Sequence, residues 1–304
     1  MTVMSDPATV LPAGPSLADD AGGLLDAAPF PVLRPVTPRY ADLGGDGRVT
    51  TVALARWFEE ARVLAELPRF RRLVEDGGFA PFRILLAAQR IHRLEAPVHR
   101  AEYRVATGVR RIGGSSYSYG HAVFDGDRPV AVSDSVTVLA TGSGPSGLPD
   151  ALREDLGSMV LEEPGGGPPR PEASRRERSR YPLAHPLVTR IGDVDTNRHV
   201  NNVALLSWYA DAVAAWQSAR LGDPDGGPPE ELAPSAWEVQ YVDEVAHPRT
   251  YDVALAVDRE TAGGGLHYRA GLFSGDRCVG LADGFGAAGP FTGAGLGPRS
   301  AYRR

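Results

Sequence analysis

One sequence pattern occurs twice in this chain, and the repeat limits the folds that the chain can adopt. Residues 39–51 align with residues 190–202 without gaps. The identical positions in the two copies are Arg39/Arg190, Asp42/Asp193 and Val49/Val200. A spacing of roughly 150 residues is the size of a domain and too long for a solenoid unit. The sequence therefore predicts a duplicated domain.

The two copies differ at the positions where chemistry would need polar side chains. The second copy offers two acid–base groups and an amide, namely Asp195, Asn197 and His199. The first copy has unrelated residues at the same positions, namely Gly44, Asp46 and Arg48. A segment that enters a helix also presents backbone N–H groups and the positive end of the helix dipole, which suit developing negative charge. We therefore expect chemistry in the second half alone.

Composition excludes several classes of function. All 32 basic residues are arginine, so neither a Schiff-base lysine nor a phosphate-loop lysine can exist. The single cysteine, Cys278, forbids an internal disulfide, and the net charge of −6 argues against nucleic-acid binding. We find no apolar run near the ~20 residues that span a bilayer and no secretory signal, so we expect no membrane partner and a cytoplasmic location.

Shifts in composition divide the chain into five parts. We predict a disordered tail at 1–29, a first domain at 30–141 and a second domain at 181–288. Between the domains, the Gly-, Pro- and Arg-rich stretch 142–180 indicates a linker with a short helix near 149–156, and 289–304 forms a second tail.

Each half has a long helical pattern followed by strand patterns, which predicts an α+β fold. The helices are expected at about 52–67, with Pro68 soon after the end, and at about 202–218. The expected strands follow at about 83–92, 101–112, 115–124 and 129–139, then 235–243, 250–258, 266–273 and 277–286. The mixture of serine and tyrosine at 115–119 is typical of a half-exposed strand. These two helices are largely apolar, which suits helices that a sheet wraps around.

The Asp-x-Asp-x-x-x-His-Val-Asn-Asn segment before a long apolar helix resembles the motif of the 4-hydroxybenzoyl-CoA thioesterase family. Two such units in one chain resemble the acyl-ACP thioesterases, over residues 32–140 and 183–288. This resemblance implies tandem hotdog domains, each a long helix wrapped by a curved antiparallel sheet. The first domain would form the acyl tunnel and the second would be catalytic.

The resemblance also implies the catalytic residues, which are Asp195, Asn197, His199 and Glu244. Val245 stands where many plant members have cysteine, so a cysteine nucleophile is excluded at that position. Pro97 is the approximate counterpart of Glu244 in the first half. Glu244, as a partly buried carboxylate, or Asp195 would act as the base, and the sequence leaves both open. N–H groups at the start of the second helix would stabilise the oxyanion. We expect Asn201, Asn202, Trp208 and Trp57 to contact the substrate.

The expected activity is hydrolysis of a fatty or polyketide acyl thioester on acyl carrier protein or CoA, as in fatty acid biosynthesis. No cofactor or metal is implied, and the chain would be a monomer or a homodimer of double-hotdog chains. Two alternatives remain open at this point. One is a hotdog dehydratase or acyl transferase, and the other is a non-catalytic acyl-binding scaffold. The hydrolase requires the side chains of His199 and Glu244 to converge.

Overall fold

The computed structural model describes ten stretches of the chain: 22–75, 83–95, 97–99, 102–141, 144–162, 165, 170–196, 198–222, 232–259 and 265–287. In these stretches the helices are α1 (Thr51–Glu75), α2 (Asp150–Gly157) and α3 (Asn202–Leu221). The strands of the first half are β1 (Val32–Val36), β2 (Arg83–Arg93), β3 (Tyr103–Ile112), β4 (Ser116–Asp125), β5 (Arg128–Thr141) and β6 (Gly144–Pro145). Those of the second half are β7 (Leu183–Val188), β8 (Ala236–Tyr241), β9 (Thr250–Arg259), β10 (Leu266–Ser274) and β11 (Arg277–Gly286).

All described strands belong to one antiparallel sheet whose order reflects the duplication. The order is β1-β3-β4-β5-β2-β8-β11-β10-β9-β7, with β6 paired to β5 at the side. From the central pair of β2 and β8 outward, the equivalent strands of the two halves therefore follow in the same order. The halves join where β2 pairs with β8, with Ala88 opposite Gln240. This arrangement confirms the predicted pair of helix-and-sheet halves.

The two long helices pack against each other inside the curved sheet. Trp57 and Phe58 of α1 lie in the same buried core cluster as Leu205, Trp208 and Tyr209 of α3. These residues recur at helical spacing, so each helix buries a face against the other helix and the sheet. The helices of the described stretches include none that is long and apolar enough to cross a membrane.

Helix α1 is longer than the sequence predicts. We expected Pro68 to follow its end, but the helix continues through Pro68 to Glu75. Proline lacks the N–H that would bond four residues back, which normally ends or kinks a helix. Beyond the proline, Phe70 is buried with Ala65, Leu152 and Leu156, and this contact with α2 favours continuation of the helix.

Parts of the predicted tail and linker pack against the first half of the sheet. Leu24 is only 1% exposed and shares a cluster with Phe30, Ala106 and Phe124, so residues 22–29 do not form a disordered tail. In the linker, Leu148, Leu152 and Leu156 are buried in one cluster, and the spacing of four residues places Leu152 and Leu156 on one side of α2. Residues 1–21 and 288–304 lie outside the described residues.

Strand β4 is also more buried than we predicted. Its alternating serines and tyrosines indicated a half-exposed strand, yet Tyr117, Ser118 and Tyr119 are 2%, 5% and 0% exposed. One face of β4 meets α1, and the other is covered by the segments around Leu24 and Leu161. The prediction failed because these covering segments were expected to be a tail and a linker.

Candidate active site

The candidate site begins at a tight turn between β7 and α3. The Asp195 N–H donates to the His199 carbonyl at 2.9 Å, and the Arg198 N–H donates to the Asp195 carbonyl at 3.0 Å. Arg198 has a φ of 66°, a left-handed conformation that is uncommon outside glycine and that recurs at functional turns. The turn holds the His199 side chain where it is only partly exposed.

His199 and Glu244 converge although they lie on different elements. The Val200 N–H donates to the Val245 carbonyl at 2.9 Å, which sets the turn beside the loop after β8. The preceding residues are therefore neighbours, and His199 Nε2 lies 3.3 Å from Glu244 Oε2. The convergence that the hydrolase requires is thus present in the geometry.

The Glu244 carboxylate is positioned by its own loop and by the first half of the molecule. The Glu244 N–H donates to Asp243 Oδ1 at 2.8 Å, and Arg277 pairs with Asp243. The second Glu244 oxygen accepts from Nη1 of Arg83, at the start of β2. We expected a partly buried carboxylate, whereas the Glu244 side chain is 44% exposed, because the loop lies at the sheet surface beside an arginine that is itself exposed.

Asn201 caps the N-terminus of helix α3. Its Oδ1 accepts from the Val203 N–H at 2.7 Å, a helix cap, while its Nδ2 donates to Glu59 Oε1 of α1 at 3.0 Å. The Val203 N–H is therefore occupied by the cap, so an oxyanion donor at this end of the helix has to be another N–H group. The neighbouring Asn202 offers its carbonyl to the Tyr241 hydroxyl at 3.5 Å.

The remaining predicted site residues are placed less centrally or are not described. Asp195 is partly exposed in the turn, and Asn197 lies outside the described residues. Trp208 is 4% exposed in the core between the helices. Trp57 is 6% exposed, and its Nε1 donates to Asp42 Oδ2 at 3.3 Å, so its polar atom is hydrogen-bonded to the turn of the first copy.

The first copy of the motif has the same backbone hydrogen bonds but different side chains at the positions of Asp195, Asn197 and His199. The Gly44 N–H donates to the Arg48 carbonyl at 2.7 Å, and the Val49 N–H donates to the Pro97 carbonyl at 2.8 Å. Pro97 is thus the counterpart of Val245 and not of Glu244, one residue away from our approximate assignment. Alanine precedes Pro97 in the sequence, at position 96, which lies outside the described residues.

Comparison with known proteins agrees with the duplicated fold and with the motif. Residues 176–218, which include the turn and most of α3, match the model of the acyl-ACP thioesterase C-terminal domain. Among curated proteins, none matches the chain. The predicted resemblance to acyl-ACP thioesterases is confirmed. Together with the fold, the match indicates a thioester hydrolase.

Three solved structures illustrate the shared fold. A Lactobacillus plantarum protein described as an oleoyl thioesterase aligns with a TM-score of 0.67 at 16% identity, over 83% of this chain and 94% of its own. The 12:0-ACP thioesterase from Umbellularia californica aligns with a TM-score of 0.64 at 16% sequence identity, over 83% of this chain and 95% of its own. An acyl-ACP thioesterase from Bacteroides thetaiotaomicron aligns with a TM-score of 0.64 at 17% sequence identity, over 84% of this chain and 97% of its own. These alignments confirm the double-hotdog fold.

The structure adds site residues that the sequence did not reveal. Besides Arg83, these are Glu59 and Arg62 of α1 and Tyr241 of β8. Arg62 Nη2 lies 3.9 Å from Glu59 Oε1, and burial raises the pKa of Tyr241, which keeps its hydroxyl protonated. The spacing of Glu59, Arg62 and Glu66 was the one available signal, since it places three charged residues on one helix face.

Metal ligation has no candidate in the part of the chain that is described. There, no three His, Cys, Asp or Glu side chains lie close enough together to hold an ion.

Proposed function

We propose that this protein hydrolyses an acyl thioester carried by an acyl carrier protein, with Glu244 and His199 as the acid–base pair. The observation that carries the proposal is the separation of 3.3 Å between His199 Nε2 and Glu244 Oε2, within the second copy of the motif. A carboxylate and an imidazole in contact can accept and deliver protons in the same turnover.

In this mechanism the Glu244 carboxylate takes a proton from a water as the water oxygen attacks the thioester carbonyl carbon. The proton passes from Glu244 to His199 Nε2, 3.3 Å away, and His199 delivers it to the departing thiolate as the carbon–sulfur bond breaks. The products are the free acid and the thiol, so one water is consumed. The alternative base is Asp195, and the orienting amide would be Asn197.

The carrier is proposed from the charges around the site. Arg83 and Arg198 are both exposed near Glu244 and His199. Two arginines suit the acidic surface of a carrier protein, and they would also suit the phosphates of CoA. A single chain suffices in this proposal, because both halves already contribute to the site through Arg83 and Glu59.

The test is thiol release from a series of acyl thioesters on carrier protein and on CoA, with wild type and Glu244→Ala. We expect a chain-length optimum, higher kcat/KM with carrier protein, and a loss of at least ~100-fold in the variant. Glu95→Ala is the matched control, since Glu95 also forms an exposed ion pair with an arginine, Arg128, in the equivalent loop of the first half. That variant should retain activity within ~2-fold.

Each other outcome has a definite meaning. Turnover that survives Glu244→Ala would move the base to Asp195, while equal losses in both variants would point to folding rather than chemistry. A higher kcat/KM with CoA thioesters would indicate CoA, and not acyl carrier protein, as the carrier of the acyl chain. Folded wild-type protein that releases no thiol from any substrate would contradict the hydrolase and favour the acyl-binding scaffold.

A further inference from the structure

The inner surface of the sheet in the first half is polar where it faces α1. The ring centroids of Tyr119 and His121 on β4 lie 5.8 Å apart with their planes tilted by 33°, and the His121 ring lies 5.6 Å from the Phe58 ring of α1. On β5, Ser135 is directly opposite Tyr119, and Thr137 is two residues further along the same face. Residues opposite each other in antiparallel strands share a face, so these four side chains form one surface, called the polar face here.

Every member of the polar face is buried and has a polar atom without a partner. Their exposed fractions are at most 1%. Among the described residues, no hydrogen bond reaches the Tyr119 hydroxyl, His121 Nε2 or the hydroxyls of Ser135 and Thr137. Buried polar atoms are nearly always hydrogen-bonded in folded proteins. Four exceptions on one surface therefore indicate a site for a polar group from outside the fold.

The second half provides an internal reference for this surface. The positions equivalent to His121, Ser135 and Thr137 are occupied by small apolar residues, namely Ala270, Gly284 and Gly286. The tyrosine is present in both halves, but Tyr268 in the second half accepts a hydrogen bond from Gln217 Nε2 at 2.9 Å. Unpartnered polar atoms are thus not a requirement of the hotdog scaffold at these positions.

The polar face is neutral, which restricts what it can bind. Burial lowers the pKa of His121 to about 3, with a smaller contribution from the Arg62 charge, so the imidazole is uncharged. Its Nδ1 shares a hydrogen bond of 3.1 Å with the Thr107 hydroxyl. Neutral hydroxyls and an imidazole can both donate and accept, so they complement hydroxyl or keto oxygens better than a carboxylate or an ammonium group.

A row of charged residues on α1 connects the polar face with the candidate active site. Glu59 accepts from Asn201 at the start of α3, and Arg62 lies next along the same side of the helix. Glu66, one turn further, accepts from the Tyr117 hydroxyl at 3.0 Å. Tyr117 precedes Tyr119 on the same face of β4.

The distance from the site suits the far part of an acyl chain. Thr137 is opposite Leu86, three residues along β2 from Arg83, whose guanidinium contacts Glu244. At ~3.3 Å per residue, Thr137 lies about 10 Å along the strand from Arg83, and Ser135 lies further in the same direction. A chain whose thioester is at Glu244 would therefore reach the polar face beyond its first carbons.

We propose that the polar face binds hydroxyl or keto oxygens on the acyl chain, which makes oxygenated, polyketide-like acyl thioesters the preferred substrates over saturated fatty ones. This inference rests on the proposed function for its hydrolytic step. It names the substrate class that the same site would select.

The test compares pantetheine thioesters of one chain length, either saturated or with a single hydroxyl at successive carbons beyond the middle of the chain. We expect wild-type kcat/KM to favour one hydroxylated position by ~10-fold or more, because a site built to hydrogen-bond a hydroxyl discriminates against its absence. The double variant Tyr119→Phe/Thr137→Val should bring that ratio close to one.

Ser118 supplies a matched control for Ser135. The Ser118 hydroxyl is also buried and unpartnered within the described chain, but it lies on the opposite face of β4 from Tyr119. We expect Ser135→Ala to lower the preference for the hydroxylated chain and Ser118→Ala to leave it unchanged. Equal effects of the two serine variants, or a wild-type preference for the saturated chain, would overturn the inference.

Calorimetry with the free hydroxy acid and the free saturated acid separates this inference from the proposed function. Selective binding of the hydroxy acid, lost in Tyr119→Phe/Thr137→Val, would support the polar face even if no thioester were hydrolysed. The absence of hydrolysis would then contradict the proposed function alone. Equal binding of both acids would overturn the inference even in an active hydrolase.

Discussion

The turns at residues 39–51 and 190–202 carry the same backbone hydrogen bonds around different side chains. The bond that closes the turn is 2.7 Å long in the first copy and 2.9 Å in the second, and the bond to the neighbouring loop is 2.8 Å and 2.9 Å. The difference lies in what the turns present, since Arg48 occupies the position of His199. Duplicated backbone geometry is therefore a property of the scaffold, and the chemistry depends on a few side chains.

The first half of the chain nevertheless contributes to the candidate site in the second half. Arg83 of β2 contacts Glu244, and Glu59 of α1 contacts Asn201. Both contacts join the first half of the molecule to the second. The first half has no histidine–carboxylate pair of its own at the turn, yet it supplies groups that position the pair in the second half.

The largest difference between the two turns is expected in kcat when the side chain at their equivalent positions is removed. We expect His199→Ala to lower kcat by ~10²–10⁴-fold, because the imidazole is a general acid in the proposed mechanism. Arg48→Ala should change kcat by less than ~2-fold. Steady-state thiol release with both variants checks this, and similar losses would show that the first turn also takes part in the reaction.

The interiors of the two halves should respond differently to acid. His121 has a pKa of about 3 in the folded protein because it is buried, whereas the unfolded chain binds a proton near the ordinary value of ~6.5. The folded state therefore loses stability as the pH falls from ~6.5 towards ~3. Near pH 4.5 the loss due to this residue should be ~2–3 kcal/mol.

Urea unfolding at about pH 7 and about pH 4.5 measures this effect in wild type and in His121→Leu. The variant should lack this part of the acid sensitivity, as the second half does with Ala270 at the equivalent position. An unchanged difference between the two pH values in His121→Leu would show that other groups cause the acid sensitivity.

Sequence patterns predicted the features that depend on neighbouring residues. The turn, the long helices and the alternation of strands were predictable because their hydrogen bonds join residues close in sequence. Arg83 was not predictable as a partner of Glu244, since the contact depends on how β2 meets β8. The continuation of α1 through Pro68 was missed for a similar reason, because the burial of Phe70 against α2 is a tertiary contact that propensity does not report.

The caps of helices α1 and α3 should also differ in their contribution to stability, by a smaller amount. Thr50 Oγ1 accepts from the Ala53 N–H at 3.1 Å in the first copy, as Asn201 Oδ1 accepts from Val203 in the second. Thr50→Ala should cost ~1 kcal/mol of unfolding free energy, the usual value of a cap. Asn201→Ala should cost ~2 kcal/mol, because it also removes the bond to Glu59. Equal costs in urea unfolding would mean that the bond between the halves adds no stability.

The smallest expected effect is at the left-handed residue of each turn. Gly47 has a φ of 76° and Arg198, its counterpart, a φ of 66°. A side chain in this conformation is strained, so Gly47→Ala should destabilise the fold by ~1 kcal/mol. In Arg198→Gly the relief of strain is offset by the greater freedom of glycine in the unfolded chain, and the change should stay within ~0.5 kcal/mol.

Thermal unfolding of the two variants checks this prediction, with Arg198→Ala as the control that removes the guanidinium and keeps the backbone strain. If Arg198→Ala and Arg198→Gly lower carrier-protein turnover equally, the guanidinium contributes to binding of the carrier. If only Arg198→Gly lowers kcat, the left-handed residue itself matters, because a more flexible turn would let His199 move away from Glu244. The first turn, with glycine at this position and no histidine to hold, has no such constraint.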